Sequence, residues 1–221
     1  MVSASWGILK LNKDPNFFAA LGELDRFTHL WLLYDFHLHP PGNWRPTIEP
    51  PRLSQTRRVG VFASRSPHRP NAIGLSAVKL EKIDRYAPGG IEIFVSGLDI
   101  MDGTPILDIK PYLPYADRIQ DAGAGWAEGD EEKYRVDFSD ESLQGIAALG
   151  ADAHPRLRDL IAQMLEWDPR PRSLRSSFPI GDPATEDRVF AFRVADVDVH
   201  WQAVGRTFHV RKISACLTSD S

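Results

Sequence analysis

The stretch from Gly60 to Gly74 reads Gly-Val-Phe-Ala-Ser-Arg-Ser-Pro-His-Arg-Pro-Asn-Ala-Ile-Gly, a short apolar run followed by a polar loop. A second apolar run, Leu75 to Ile83, follows directly. Pro67 and Pro70 fix φ and lower the conformational freedom of the loop. Between and beside them lie the donor-rich side chains Arg65, His68, Arg69 and Asn71. Since guanidinium forks suit phosphate and carboxylate, this stiff cationic loop between two strands predicts a binding site.

Short apolar segments separated by polar turns recur through the first 110 residues. They predict strands at Trp6 to Leu11, Thr28 to Phe36, Arg58 to Ala63, Leu75 to Ile83, Ile91 to Leu98 and Pro105 to Ile109. A short helix is predicted from Asn16 to Arg26. Many short strands joined by polar turns favour a β-barrel or β-sandwich over a parallel α/β sheet.

The composition changes after Asp117. Residues 117–135 are rich in Gly, Ala and acidic residues, which indicates a linker or a long surface loop. Pro155 to Trp167 has apolar residues at helical spacing, and Arg188 to Ile213 returns to strand patterns. The sequence therefore predicts a mostly-β domain at residues 1–130 and a smaller α+β domain at residues 136–221.

Composition excludes several classes of protein. Cys216 is the single cysteine, so a disulfide within the chain is impossible and a cysteine-based metal site is disfavoured. His37 and His39 alternate like metal ligands, but no third ligand is evident, and we expect no metal. The longest apolar runs, such as Leu30 to Tyr34, are too short to span a bilayer, and residues 1–15 lack signal-peptide features. We therefore expect no membrane partner and a cytoplasmic location.

The charge distribution leaves room for a nucleic-acid partner. The net charge of −4 argues weakly against one, but residues 50–70 carry five arginines and no acid. A local basic face can coexist with an acidic total, because local fields steer ligands. The alternative is that this arginine run is ordinary solvated surface.

A second informative block runs from Ser96 to Asp117. Asp99, Asp102 and Asp108 surround a tight Asp-Gly turn, and Lys110 and Tyr112 follow within one strand length. Such a turn can present carboxylates and backbone amides to the hydroxyls and nitrogens of a ligand. Taken alone, the block fits ordinary hairpin chemistry equally well.

Together, Gly60 to Gly74 and Leu98 to Tyr115 resemble the signature segments of the tRNA threonylcarbamoyladenosine N6-methyltransferase family, also called TrmO, TsaA-like or YaeB. Phe27-Thr-His-Leu-Trp31, Asn43-Trp-Arg-Pro46 and Asp168-Pro-Arg-Pro171 resemble it as well. The chain departs from the family at Ala72, where members usually have Pro. Members also begin with an extra strand and a Pro-Arg loop near the cofactor, and neither is found before Trp6.

The resemblance implies a small β-barrel methyltransferase without a Rossmann domain, which uses S-adenosylmethionine and works as a homodimer. The substrate it implies is a tRNA that carries threonylcarbamoyladenosine beside the anticodon. Carried over by position, the cofactor pocket would draw on His37, Leu38, Arg65, Leu75, Ser96, Gly97, Leu98 and Asp99. In that pocket Arg65 would hold the methionine carboxylate.

Roles in catalysis and RNA binding are assigned within this resemblance by residue type and place. Asp102 is the candidate base, with Lys110 or Tyr112 polarising the carbonyl of the modified base. The arginines expected to contact tRNA phosphates are Arg52, Arg57, Arg69, Arg170 and Arg172. Two alternatives stay open: a non-catalytic module that binds S-adenosylmethionine or RNA, and a methyltransferase with a small-molecule acceptor.

Overall fold

An antiparallel five-stranded sheet, in the order β1-β6-β5-β2-β7, is the framework of the first half of the chain. The computed structural model describes residues 2–39, 42–50, 57–129, 133–150 and 156–216. It divides into two units, residues 1–129 and residues 130–221. The strands of the large sheet are β1 (Trp6–Lys10), β2 (His29–Asp35), β5 (Ile73–Asp84), β6 (Glu92–Ser96) and β7 (Ile106–Pro111). Two short strands, β3 (Thr47–Ile48) and β4 (Val59–Gly60), pair with each other.

Alternation along the strands decides which face of this sheet is buried. In β2, Leu30, Leu32 and Tyr34 are buried while the intervening residues are more exposed. The buried face meets Leu21, which follows helix α1 (Pro15–Ala20), in one apolar cluster. A period of two residues therefore builds the core of this unit, as the sequence predicts.

The predicted closed barrel is not formed by the described residues. Strand β1 pairs only with β6, and β7 pairs only with β2, so both are edge strands. Residues 6–12 and 106–109, from the two edges, line one open groove of about 810 Å³ together with the loop at residues 98–105. The first unit is an antiparallel sheet with an open seam, because no ladder of hydrogen bonds joins β1 to β7.

Within the segment predicted as a linker or a long surface loop, residues 117–129 are exposed or half-buried and mostly irregular. Helix α2 (Pro114–Asp117) ends as this segment begins, and a 3-10 turn at Gly125–Ala127 lies within it. The indole Nε1 of Trp126 donates a hydrogen bond of 2.7 Å to the carbonyl oxygen of Ala63. This contact ties the segment to the first unit, beside the cationic loop.

A four-stranded sheet in the order β8-β11-β10-β9 forms the second unit. Its strands are β8 (Arg135–Phe138), β9 (Val189–Val194), β10 (Val197–Val204) and β11 (Thr207–Ala215), and its helices are α3 (Asp140–Leu149), α4 (Leu157–Leu165), α5 (Arg172–Ser177) and α6 (Pro183–Glu186). Strand β8 is parallel to β11, and the other pairs are antiparallel. Apolar residues of α4 and of one sheet face form a single core around Trp201 and Phe208. The predicted α+β character is thus present, and no described helix is long and apolar enough to cross a membrane.

Arg170 is a structural residue in this unit, which corrects its assignment as a phosphate contact. Its side chain is 3% exposed and that of Asp168 is 7% exposed. Arg170 Nε and Nη2 donate to the two carboxylate oxygens of Asp168 at 2.7 and 2.8 Å, and Nη1 donates to the carbonyl of Phe178 at 2.7 Å. The guanidinium also lies over the rings of Phe190 and Trp201. Because its donors are engaged inside the protein, Arg170 is not available to a phosphate.

Arg170→Ala is expected to destabilise the protein by roughly 3–5 kcal/mol, because the buried carboxylate of Asp168 loses its partner. The measurement is a urea unfolding curve. Arg188→Ala is the control, since Arg188 is exposed and lies over the rings of Phe178 and Phe190 at 4.3 and 5.9 Å; it should cost about 1 kcal/mol or less. Equal losses in the two variants would contradict a structural role for the buried pair.

Gly74→Ala is expected to lower the free energy of unfolding by about 1–3 kcal/mol, because the added methyl overpacks the core. Tyr34 and Gly74 are cross-strand partners, and a Cβ at Gly74 would overlap the ring of Tyr34. The control is Gly89→Ala, where a Cβ would meet nothing within 4 Å. Thermal and urea unfolding of both variants measure the difference, and an unchanged Gly74→Ala midpoint would refute the contact.

Candidate functional site

The loop between β4 and β5 is braced by its own side chains. Arg69 Nη1 donates to the carbonyl oxygens of Ser64 at 2.9 Å and Ser66 at 3.3 Å. The backbone N–H of Arg45 donates to the carbonyl of His68 at 3.1 Å, which fastens the loop to the segment after β2. Arg69 is therefore half-buried as a brace, whereas Arg65 projects from the same loop with an exposed side chain.

The turn after β2 lies against the end of this loop. The N–H of Phe36 donates to the carbonyl of Ala72 at 2.8 Å, and the rings of His39 and His68 meet at 4.8 Å. His37 and Leu38 are exposed in this turn. The structure therefore brings the turn that carries these two residues next to the loop that carries Arg65.

The His68 imidazole is held towards its neutral form. Burial lowers its pKa below the usual value, and the positive charge of Arg45 and the neighbouring His39 lower it further. The lowered pKa favours the neutral form of the His68 ring beside Arg45.

Residues Ser96 to Asp99 form a tightly bonded bend after β6. Gly97 has a φ of +75° and donates its N–H to the carbonyl of Ser5 at 2.8 Å. The carbonyl of Leu98 accepts a 2.6 Å hydrogen bond from Ser5 Oγ. Asp99 accepts a hydrogen bond from Ser76 Oγ, which itself lies 3.2 Å from the hydroxyl of Tyr34. A chain of polar contacts therefore fixes Asp99 against β5.

Most of the predicted cofactor residues meet around the start of β5. The loop with Arg65 and the turn with His37 join the sheet at Ala72 and Ile73. Three residues beyond Ile73, Ser76 donates a hydrogen bond to Asp99. Leu75 lies between these points and is 49% exposed. Ser96 is different, because it is buried, pairs across from Lys79 and donates to the carboxylate of Glu81.

The predicted catalytic residues divide between the two ends of β7. Asp102 lies in the exposed turn before this strand, and Gly103 adopts a φ of +72°. Lys110 lies near the far end and forms a 2.7 Å ion pair with Asp108. At ~3.4 Å per residue, β7 (Ile106–Pro111) is roughly 17 Å long, and it lies between the turn with Asp102 and Tyr112. Asp102 is therefore at the opposite end of the strand from Lys110 and Tyr112.

Lys110 is exposed and Tyr112 is half-buried, and both interact with neighbouring side chains. The side-chain hydrogen bond from Lys110 holds the pKa of Asp108 below its usual value. The Tyr112 ring packs beside those of His29 and Trp31, with centroid distances of 6.4 and 5.6 Å. Both residues lie on a polar and aromatic patch at this end of the sheet.

The predicted RNA-binding arginines have different surroundings. Arg57 is exposed, Arg172 is half-buried at the first residue of α5, and Arg52 lies outside the described residues. Arg69 braces the cationic loop and Arg170 is buried. Of the four described residues, Arg69 and Arg170 are therefore used to hold their own units together.

Three residues near the site were missed by sequence reasoning. Tyr34 and Ser76 lie inside apolar strand patterns, so nothing in the sequence marks them as parts of a polar chain leading to Asp99. Trp126 lies in a segment that composition alone assigns to a linker. A lone tryptophan in such a segment was the available signal. Among the described residues, no group of three His, Cys, Asp or Glu side chains could hold a metal ion.

Two family models cover nearly the whole chain. The tRNA-methyltransferase O N-terminal domain matches residues 1–118, and the TrmO C-terminal domain matches residues 131–216. The chain is 36% identical over 211 residues to the tRNA (adenine(37)-N6)-methyltransferase of Escherichia coli, covering 95% of this chain and 86% of the relative. It is 37% identical over 201 residues to the putative S-adenosylmethionine-dependent methyltransferase RcsF of Pseudomonas aeruginosa, covering 91% and 81% of the two chains.

A solved structure agrees with these matches. The crystal structure of TrmO from Pseudomonas aeruginosa superposes with a TM-score of 0.74 at 32% identity, and the match covers 97% of this chain and 86% of that chain. Both the sequence signatures and the fold therefore point to the same family. The chain belongs to the TrmO family of tRNA methyltransferases.

Proposed function

We propose that this protein is an S-adenosylmethionine-dependent methyltransferase that acts on N6 of threonylcarbamoyladenosine at position 37 of tRNA. The observation that carries the proposal is the braced loop that presents exposed Arg65 beside the exposed turn with His37 and Leu38. Family membership and similarity to the Escherichia coli relative, a tRNA (adenine(37)-N6)-methyltransferase, support the same function.

The donor set around β5 fits S-adenosylmethionine. Arg65 offers a planar fork for the methionine carboxylate, and within the described part of the chain no carboxylate pairs with it. Exposed Leu38 and Leu75 offer apolar surface for the adenine ring. Asp99, held by Ser76, offers acceptors for the ribose hydroxyls. Ser96 has no exposed hydroxyl, so it supports the bend and makes no direct contact in this proposal.

The chemistry needs orientation and removal of a proton. S-adenosylmethionine supplies the electrophilic methyl on its sulfonium sulfur. The rigid loop and bend then contribute by fixing the direction of attack, which converts binding energy into rate. The accepting nitrogen is urea-like and poorly nucleophilic, so we assign Asp102, exposed beside the groove, to take its proton on a carboxylate oxygen.

Lys110 and Tyr112 are assigned to polarise the carbonyl of the modified base across a dimer. They lie at the opposite end of β7 from the turn that carries Asp102. In the proposed homodimer they act on the base held by Asp102 of the other protomer. The exposed apolar side chains of Ile73 and Leu75, 50% and 49% exposed, lie on one sheet face and would be covered in such a homodimer.

The function is tested by methyl transfer from labelled S-adenosylmethionine to tRNA that carries threonylcarbamoyladenosine. Wild-type protein is expected to transfer one methyl per modified base and to leave unmodified tRNA unlabelled. Binding of S-adenosylmethionine without transfer would instead indicate a non-catalytic module. Transfer to small acceptors but not to tRNA would indicate a methyltransferase with a small-molecule acceptor.

Two variants are expected to separate binding from chemistry. Arg65→Ala should weaken binding of S-adenosylmethionine in calorimetry by on the order of 2–3 kcal/mol, through loss of a charge-assisted contact. Asp102→Asn should leave this affinity unchanged but slow single-turnover transfer by roughly 10²–10⁴-fold, because the base is lost. Arg26→Ala is the control, since Arg26 is exposed and pairs with Glu23 at 2.8 Å. An unchanged affinity of Arg65→Ala for S-adenosylmethionine would show that Arg65 does not contact the cofactor.

The proposed homodimer is tested by sedimentation equilibrium. The expected particle has twice the chain mass of 24.8 kDa, because exposed sheet edges and apolar side chains favour burial against a second copy. Ile73→Asp should shift the protein towards the monomer by placing a charge in the contact. A single 24.8 kDa species of wild-type protein at micromolar concentration would contradict the dimer.

A further inference from the structure

One face of the sheet in the second unit carries no helix among the described residues. Register places alternate residues on this face, which we call the open sheet face, and Arg211, at a shift in the β10–β11 register, joins it through a hydrogen bond to Gln202. Its members are Arg135, Asp137, Val189, Ala191, Arg193, Asp198, His200, Gln202, Val204, Thr207, His209, Arg211, Lys212 and Ser214. The other face carries Phe190, Val199, Trp201 and Phe208 in the core.

The described helices that complete the core lie on the opposite side of this sheet. Residues of α4 join the buried cluster, and α3 approaches β11 so closely that a Cβ at Gly145 would overlap the backbone of Ile213. On the open sheet face the side chains remain accessible: Arg211 and Lys212 are exposed, and the side chain of Arg135 is 76% exposed. A sheet buried on one face and polar on the other offers a flat docking surface.

On the open sheet face, the ion pairs and the positive charges without a carboxylate partner lie in different places. On the edge strands, Arg135 pairs with Asp137 at 3.0 Å, and Arg193 pairs with Asp198 of β10 at 3.2 Å. Between these ion pairs, His200, Gln202 and His209 surround Arg211 and Lys212 on the two central strands. The uncompensated positive charge is therefore concentrated in the middle of the sheet, because the carboxylates of this face are held in pairs towards its sides.

Arg211 is oriented by a neutral partner. Its Nε donates to Gln202 Oε1 at 2.7 Å, across neighbouring strands. This hydrogen bond fixes the direction of the guanidinium without neutralising it, and the two terminal nitrogens keep donors for another acceptor. A fixed guanidinium beside a lysine is an arrangement suited to phosphate oxygens.

We propose that the open sheet face binds the tRNA backbone, with Arg211 and Lys212 on phosphates. His200, His209 and Gln202 add donors and acceptors for 2′-hydroxyls and for unpaired bases, which is how proteins read exposed RNA. An apolar protein surface fits poorly, because the exposed apolar members Val189 and Ala191 lie on the edge strand, Val204 lies at the end of β10, and the centre is polar. This inference rests on the proposed function, since it names where the same substrate is held.

The test is filter binding of tRNA that carries threonylcarbamoyladenosine across a salt series. Arg211→Ala/Lys212→Ala should weaken binding on the order of tenfold and reduce the slope of log K against log salt by roughly 1–2, because two phosphate contacts are lost. The matched control is Arg156→Ala/Arg158→Ala, which removes the same charge from exposed positions at the start of α4, a helix on the opposite side of the sheet. The control should bind like wild type.

A second variant keeps the arginine in place. Gln202→Glu introduces a carboxylate at the acceptor of Arg211 Nε and should lower the salt slope by roughly 1 with little effect on folding. Thermal melting checks that each variant is folded, and calorimetry with S-adenosylmethionine should give wild-type affinity for all of them. Reduced binding with a reduced slope in both variants supports the proposal.

The outcomes separate the two proposals. Wild-type protein that fails to bind tRNA would overturn the proposed function together with this inference. If both face variants bind tRNA with the wild-type affinity and the wild-type salt slope, only the proposal for the open sheet face is overturned. The tRNA-binding surface must then be sought on the first unit. Weaker binding in the α4 control by the same factor would also overturn it, because the effect would then follow net charge alone.

Discussion

The register of β2 against β5 is the constraint on which the candidate cofactor site depends. It pairs Tyr34 with Gly74, and the ring occupies the space that a side chain at Gly74 would need. A slip of one residue would turn Leu30 and Leu32 towards solvent, since side chains alternate between faces. With the register held, the turn after β2 and the loop before β5 must meet, so the exposed side chains of His37 and Arg65 face a common region.

The same pairing carries the bend at Asp99. Tyr34, Ser76 and Asp99 form one hydrogen-bonded chain, so the residue that excludes a side chain at Gly74 also contributes to the polar support of the bend. Polar groups in a half-buried chain must be satisfied to be tolerated, and each of these three has a partner. The core and the proposed ribose contact are thereby built from the same strands.

Sequence patterns predicted the elements better than their connections. Alternation in β2 and β6 located these strands, because one buried face imposes a period of two. Closure of the barrel was wrong for the described residues, since pairing between β1 and β7 depends on distant contacts that periodicity does not encode. Composition left residues 117–135 as a linker or a long surface loop, and it does not reveal that Trp126 has an acceptor at Ala63. In the candidate cofactor site, sequence motifs predicted the loop with Arg65 and the bend with Asp99, but they did not predict the roles of Tyr34 and Ser76.

Arginines show why residue type alone does not locate an RNA surface. Arg170 is enclosed with a carboxylate, Arg69 holds carbonyls of its own loop, and Arg58 is shared between Thr47 and Glu49. Each of these arginines donates hydrogen bonds to acceptors within the protein. Arg65 is exposed without such a carboxylate, and Arg211 is oriented by the neutral amide of Gln202. A net charge of −4 is compatible with nucleic-acid binding for the same reason, because what matters to a phosphate is which cations lack an internal carboxylate. On the second unit, that criterion selects the centre of the open sheet face over the segment around Arg170, although both segments are rich in arginine and lysine.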